Sequence, residues 1–292
     1  MKVSGFTFVR NAMKLGYPVV ESIESVLPLC DEFVVNVANS EDDTLALLRK
    51  IGSPKVKLME SEWDENLRQG GKLLSILTNK ALQEVSGDWA FYVQADEVLH
   101  EDDAPAVASS MERFLDEPSV DGLLFDYVHF YGSYGTVARG RRWYRREVRV
   151  VKTGRGINSW KDAQGFRKNG RKLTAALAGA RMFHYGWARD ESLMREKTRE
   201  FDKLWHDDEW IEKEHGTKQG ESFVQEDETY RFEGTHPAVM KKRIESVKAG
   251  NYSPRPYFSF REHSAREILL HAVERVSGIR VGEYKNYRLF KE

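Results

Sequence analysis

The sequence predicts an α/β fold, with a mainly parallel central sheet, helices on both faces and a C-terminal helical extension. Three observations predict it. Apolar, β-rich runs alternate with helix-period stripes through the first third of the chain, the pattern of strands buried on both sides. A chain of 292 residues, 40 % of them hydrophobic, holds enough apolar material for a sizeable core. Beyond about residue 235 the apolar positions recur at spacings of three and four, in stripes too narrow to enclose a core of their own. The expected division is therefore 1–235, with halves of about 1–100 and 101–235, followed by 236–292 packed on it as added helices.

Each element follows from its own residues. Val3–Val9 reads as the first strand. Tyr17–Leu29 carries Val19, Val20, Ile23, Val26 and Leu27 as a helical stripe. Glu32–Val37 is a second strand, Glu41–Ile51 a short helix with Leu45, Leu47 and Leu48, and Lys55–Met59 a third strand. Gly71–Val85 turns Leu73, Leu74, Leu77, Ala81 and Val85 inward as a helix, and the Gly87-Asp88 turn leads to a fourth strand, Trp89–Val93. Gly122–Phe130 and Trp143–Val151 read as strands joined by the turn Tyr131–Gly135. Asn158–Lys172 reads as a polar loop, and Ala175–Tyr185 as a strand running into His184-Tyr-Gly-Trp187. Asp190–Glu214 is charged and helical, and Lys218–Glu233 is an exposed loop. Ala238–Ala249 and Ser264–Val276 are helices, the second opened by a Ser264/Glu267 capping box.

Charge and composition narrow the function. Lys and Arg number 45 against 46 Asp and Glu, a formal charge of −1, so no nucleic-acid partner is expected. The one cysteine, Cys30, can form neither an internal disulfide nor a zinc cluster. No apolar run approaches the ~18 residues of a membrane span. Met1–Asn11 reads as a strand rather than a signal peptide. The expected place is the cytoplasm, with a peripheral position at a membrane as the alternative.

Chemistry in such sheets sits at the carboxyl ends of the strands. The second strand leaves through Asn36-Val-Ala-Asn-Ser-Glu-Asp-Asp-Thr44. There Ser40 or Asp42 serves as a helix cap, or Asp42 and Asn36 meet a nucleotide's base or ribose. The fourth strand leaves through Gln94-Ala-Asp-Glu97. Residues 94 and 96 share a face of the extended chain, and carboxylate oxygens there suit a hard divalent ion. Lys72, Ser75 and Asn79, at i, i+3 and i+7, share the helix face opposite the leucines.

Arg10-Asn11 after the first strand, Ser40–Thr44 after the second, and Gln94-Ala-Asp-Glu97 after the fourth together resemble the family 2 glycosyltransferases, over about residues 3–190. The resemblance implies a GT-A fold and transfer of a sugar from a nucleotide-sugar donor, assisted by Mn²⁺ or Mg²⁺, with inversion. It implies that Asp96 contacts the metal, that Asn36 and Asp42 contact the nucleotide, and that Arg10 and Asn11 lie beneath the base. It further implies that Lys72, Asn79 and Gln94 border the donor. Gln94 stands where the family's motif has its first Asp. A late histidine completes the metal site in many such enzymes, and His184 has the matching place.

Inverting transfer needs a base for the acceptor hydroxyl. Asp162, in the polar segment Ser159–Gly165 beside Trp160, is the first candidate, and Glu147 the second. Arg139, Arg141, Arg142, Arg145, Arg146, Arg149, Lys152 and Arg155 form one basic block. It reads either as a solvated strand face or as a seat for an anionic acceptor, such as a glycan or a lipid-linked intermediate. Two rival functions share the fold: a non-catalytic nucleotide- or sugar-binding protein, and a nucleotidyltransferase.

Overall fold

The computed structural model describes residues 1–67, 69–216, 228–246, 254–255 and 264–291. The fold is α/β with a mixed central sheet, parallel in its first half. β1 (Val3–Val9), β2 (Glu32–Ala38), β3 (Val56–Ser61) and β4 (Trp89–Tyr92) lie in the order β3-β2-β1-β4, all parallel. The chain builds outward from β1 to β3 and then returns to the other edge of β1. That reversal opens a crevice at the carboxyl ends of β1 and β4.

Apolar side chains alternate across the two faces of these strands. Phe33, Val35 and Val37 join one core with Val19, Ile23 and Val26 of α1 (Val19–Val26). Val34, Phe6 and Tyr92 join the other, against Ala81 of α3 (Lys72–Gln83), while α2 (Thr44–Arg49) follows β2. The first core also takes α4 (Ala104–Phe114), a helix absent from the expectations above. Pro105 starts it, and Val107, Met111 and Phe114 form its buried stripe.

The second half extends the sheet. After β5 (Glu97–Leu99) come β6 (Gly122–Tyr131), β7 (Thr136–Ala138) and β8 (Arg146–Lys152). β8 pairs antiparallel with both β4 and β6. The segment expected as a loop at Asn158–Lys172 is instead a small antiparallel sheet of β9 (Ile157–Trp160), β10 (Gly165–Lys168) and β11 (Arg171–Lys172). Polar residues hid its period of two, for Ile157 and Ser159 are buried while Asn158 and Trp160 are exposed. β12 (Thr174–Trp187) then lies parallel to β6 and antiparallel to β5.

α5 (Glu191–Asp202) and α6 (Asp208–Gly216) follow, then β13 (Thr229–Arg231) on β7, inside the segment expected as a loop. Of the helix expected at Ala238–Ala249, a 3₁₀ turn at Ala238–Met240 and α7 (Lys241–Ser246) form. Residues 247–249, like 218–227 of the expected loop, lie outside the described residues. α8 (Ala265–Ser277) has its capping box but buries no residue, and β14 (Arg288–Leu289) pairs with β12. The apolar stripe of α8 does not face the core, since Leu269 and Val276 are exposed. Ion pairs tie α8 and the turn after it to the second half, Arg141 to Glu274 at 2.6 Å and Arg145 to Glu283 at 2.7 Å, while Tyr287 and Phe290 farther on pack against the two cores. Among the described residues no helix is long and apolar enough to cross a membrane.

Candidate active site

A cavity of about 340 Å³ opens in the crevice at the carboxyl ends of β1 and β4. The exit of β1 contributes Arg10 and Asn11, and the exit of β4 contributes Gln94, Ala95 and Asp96. Asp162 and Gln164 reach it from the turn between β9 and β10, and His184 and Trp187 from the end of β12. α5 and the turn after it close the far wall with Lys197, Glu200, Phe201 and Leu204, and Trp63 and Tyr17 add aromatic surface.

The floor carries a buried charge cluster. Lys197 Nζ donates to Asp96 Oδ2 and to the Gly186 carbonyl oxygen, both at 2.9 Å. It also lies 4.8 Å from the ring centre of Trp187 and 5.3 Å from that of Tyr17. His184 Nε2 stands 3.6 Å from the same Asp96 oxygen. Burial alone would raise the Asp96 carboxyl, but Lys197 and His184 outweigh it and hold it well below the usual carboxylate range. Burial pulls the Lys197 ammonium down to about 8, and Asp96 limits the fall. Gly186 makes the convergence possible. A Cβ there would lie 2.4 Å from Asp96 Oδ2 and 2.6 Å from both His184 Nε2 and Lys197 Nζ.

A second histidine orients the first. His129 Nε2 is 2.7 Å from the Tyr144 carbonyl oxygen, which can only accept, so that nitrogen carries a proton. Burial holds His129 well below the ordinary imidazole value and therefore neutral. Its Nδ1 then accepts from His184 Nδ1 at 3.0 Å, which turns His184 Nε2 toward Asp96.

The Asp162 turn is held as tightly. Lys161 and Ala163 on either side of Asp162 have φ of +53° and +59°, a conformation uncommon outside glycine and concentrated at functional sites. Gln94 Nε2 donates to the Ala163 carbonyl at 3.3 Å, and Arg149 Nη1 to that of Gln164 at 2.8 Å. Arg149 and Glu97, both fully buried, form a two-pronged pair at 2.7 and 2.8 Å. Glu97 also accepts from the backbone N–H of Gln94 at 3.0 Å. One buried ion pair thus braces the β4 exit against the Asp162 turn.

Of the residues singled out from sequence, Arg10, Asn11, Gln94, Asp96, Asp162 and His184 share this cavity. The Arg10 guanidinium lies 4.6 Å from the Trp63 ring centre and pairs with Glu41 at 3.0 Å. Asn11 Oδ1 accepts from Glu41 N, and its buried Nδ2 has no hydrogen-bond partner among the described residues. Asn36, Asp42, Lys72 and Asn79 do not line the cavity. Asn36 Nδ2 donates to the Leu77 carbonyl at 2.8 Å, fastening α3 to β2. Asp42 accepts from the backbone of Lys14 and Thr44, shaping the loop ahead of α2. Lys72 is exposed, and Asn79 exchanges two hydrogen bonds with the Ser159 backbone in β9. Glu147 is buried away from the cavity and accepts from Asn286 at 3.1 Å. The basic block is spent on partners within the chain: Arg141, Arg145, Arg146 and Arg149 each pair with a carboxylate, Arg149 fully buried and Arg145 and Arg146 at the surface.

Sequence reasoning passed over Lys197 and His129, and placed Arg149 only within the basic block. Lys197 had a signal, because it sits on the stripe Met194, Lys197, Phe201 of a mostly polar helix, which Leu204 continues in the turn beyond. A lysine on an apolar stripe is a candidate for a buried charge.

The sequence matches no protein-family model, and it matches no protein of curated function. Solved structures similar to parts of the chain include S. aureus TarS 1–349 in complex with UDP, at 26 % identity over 45 % of this chain and 37 % of that one, TM-score 0.33. A further TarS 1–349 structure aligns at 16 % identity over 70 % of this chain and 65 % of that one, TM-score 0.37. The glucosyl-3-phosphoglycerate synthase from Mycobacterium tuberculosis, in complex with Mn²⁺, UDP and phosphoglyceric acid, aligns at 19 % identity over 44 % of this chain and 43 % of that one, TM-score 0.30. The aligned part thus spans less than two thirds of each of those chains.

Proposed function

We propose that the cavity binds a nucleotide-sugar and transfers its sugar to a hydroxyl-bearing acceptor. One observation carries the reading. A single cavity at the reversal point of the sheet brings Asp96, from the exit of β4, and Asp162, from the second half of the chain, to the same space. Two carboxylates in unlike surroundings suit unlike tasks. Asp96 is buried and tied to a cation, which suits the donor side, whereas Asp162 is only half-buried, which suits proton transfer. In the reaction the acceptor oxygen bonds to the anomeric carbon and the bond from that carbon to the donor phosphate breaks. The nucleoside diphosphate leaves with the electron pair, and Asp162 takes the acceptor's proton. Trp63 on the cavity wall offers a flat face to the base. Glycans and lipid-linked alcohols both provide the hydroxyl.

A divalent ion of the kind the family resemblance implies does not fit the residues present. One of the two Asp96 oxygens already holds the Lys197 ammonium. Residue 94 is an amide turned to Ala163, and Glu97 is locked to Arg149. Among the described residues no group of three His, Cys, Asp or Glu side chains is arranged to hold a metal.

The test is thermal shift with UDP-, GDP- and CDP-sugars, followed by assay of nucleoside diphosphate release with glycan and lipid-linked acceptors. One nucleotide class is expected to stabilise the protein, and Asp162→Asn to slow release by about 10²–10⁴-fold with nucleotide affinity nearly unchanged. Absence of stabilisation by any of the three, or a wild-type rate in Asp162→Asn, overturns the reading. A second reading, binding without transfer, draws on Gln94, an amide where a catalytic carboxylate would be charged. It predicts stabilisation with no release.

A further inference from the structure

We infer that Lys197 is the cation that receives the donor's diphosphate, so that nucleotide binding in this cavity needs no divalent ion. The inference rests on the nucleotide-sugar reading and says how that site handles phosphate charge.

The argument starts from charge. A diphosphate brought into a partly enclosed cavity needs a positive partner near Asp96, because two anionic groups repel strongly once water is displaced. Among the described residues Arg10 is the other Lys or Arg on the wall, and its guanidinium is drawn toward Glu41 at 3.0 Å and Glu200 at 3.9 Å. Lys197 is placed differently. Its Nζ donates to Asp96 Oδ2 at 2.9 Å, the same oxygen that stands 3.6 Å from His184 Nε2. An ammonium there does two things a divalent ion would do: it neutralises Asp96 and presents positive charge to the cavity. Of its three N–H groups, two are used, toward Asp96 and the Gly186 carbonyl. The third has the rings of Tyr17 and Trp187 nearby, both on the cavity wall, and can be donated to a phosphate oxygen.

Three supports keep Nζ in place. The side chain is buried along its length, with 8 % of the residue exposed. Gly186 leaves room for it, since any Cβ would lie within 2.6 Å of the nitrogen. The Tyr144–His129–His184 chain of hydrogen bonds fixes the imidazole beside it. Residue 94 agrees with the same design. A site whose cation is a single charge needs fewer carboxylates around it than one built for a doubly charged ion, and an amide at 94 removes one.

Three measurements test this on the full chain. Electron paramagnetic resonance of Mn²⁺ titrated with wild-type protein reports metal uptake without nucleotide. Calorimetry with UDP, GDP and CDP, each in EDTA and in Mn²⁺, reports nucleotide affinity. The same two measurements are then made on Lys197→Met, which keeps the aliphatic stem, and Lys197→Arg, which keeps the charge. The wild type is expected to leave the Mn²⁺ signal undiminished and to bind one of the diphosphates with affinities in EDTA and Mn²⁺ within about twofold. Lys197→Met is expected to lose about tenfold or more in EDTA, with Lys197→Arg closer to wild type. Stoichiometric Mn²⁺ uptake by the wild type, a loss of nucleotide affinity of about tenfold in EDTA, or wild-type affinity in Lys197→Met each overturns the role of the lysine while leaving the nucleotide-sugar reading standing. Absence of binding by all three diphosphates in both media overturns that reading, and the inference with it. Should Lys197→Met fail to fold, the two wild-type measurements decide.

Discussion

Gly186→Ala puts the convergence of three polar tips to a direct test. Gly186 lies in β12, and its φ is not in the left-handed region, so alanine suits the backbone. On backbone grounds alone the change should stabilise, by about 0.4–1 kcal/mol, through the unfolded chain's lost freedom. The new methyl group, however, would stand 2.4–2.6 Å from Asp96 Oδ2, His184 Nε2 and Lys197 Nζ, where ordinary contact begins at 3.4 Å. Each tip must withdraw by about 0.8–1 Å into close-packed surroundings. Overpacking of that kind costs about 1–3 kcal/mol, which exceeds the backbone gain and reverses the sign. Urea unfolding followed at constant m-value measures the difference. Gly135→Ala is the control, since its Cβ would meet only Ser133 Oγ at 3.8 Å. A Gly186→Ala protein as stable as the wild type, or more so, would refute the convergence.

Three further outcomes follow from the same structure. Arg149→Met should cost about 3–5 kcal/mol in urea unfolding, because it strands a buried Glu97, and Glu97→Leu/Arg149→Met should recover much of that loss; equal losses in the single and double variants would mean that the pair itself, not the stranded charge, sets the cost. Burial raises the Glu147 carboxyl, so the fold favours its protonated form, and the stability this brings is complete below the unfolded value of about 4.3 and lost as pH rises through the raised folded value. Glu147→Gln should therefore exceed the wild type in stability near pH 8, by a margin that shrinks toward pH 5, and a margin independent of pH counts against this. Because ion pairs rather than apolar contacts attach α8, hydrogen-exchange protection of residues 265–277 should fall at about 1 M salt, where charges are screened beyond ~3 Å, while that of β1 stays unchanged.

The sequence made the sheet legible where burial is two-sided. β1, β2 and β4 are near-continuous apolar runs, and no other arrangement of such runs between helical stripes buries them. Gln94 and Asp96 were legible for a related reason, since polar residues at the end of a buried strand have to emerge at the sheet's carboxyl edge. What a strand-end position does not tell is which way the side chain faces. Asn36 emerges at the same level of the sheet as the cavity residues, yet its amide is spent on the Leu77 carbonyl of α3. The basic block misleads for another reason. Arg141 and Arg145 find their carboxylates at Glu274 and Glu283, more than 130 positions away, and nothing local reveals such partners. α4 went unseen because its buried residues, Val107, Met111 and Phe114, stand among alanines, serines and charged residues that mark no wide apolar stripe.

Lys197 belongs to α5, the same helix that walls the cavity with Glu200 and Phe201. A free ion can enter a site together with its ligand and leave with it, but a lysine travels only with its backbone. Positive charge and enclosure are therefore delivered here by one mechanical part. With α5 seated, Asp96 is neutralised and the cavity has its far wall; with α5 lifted, Asp96 stands bare and turns anions away. On the proposed reading, admission and retention of the diphosphate would then follow a single docking equilibrium. Amide exchange along 191–202 should slow in step with cavity occupancy, and exchange there that ignores the ligand would separate the two roles.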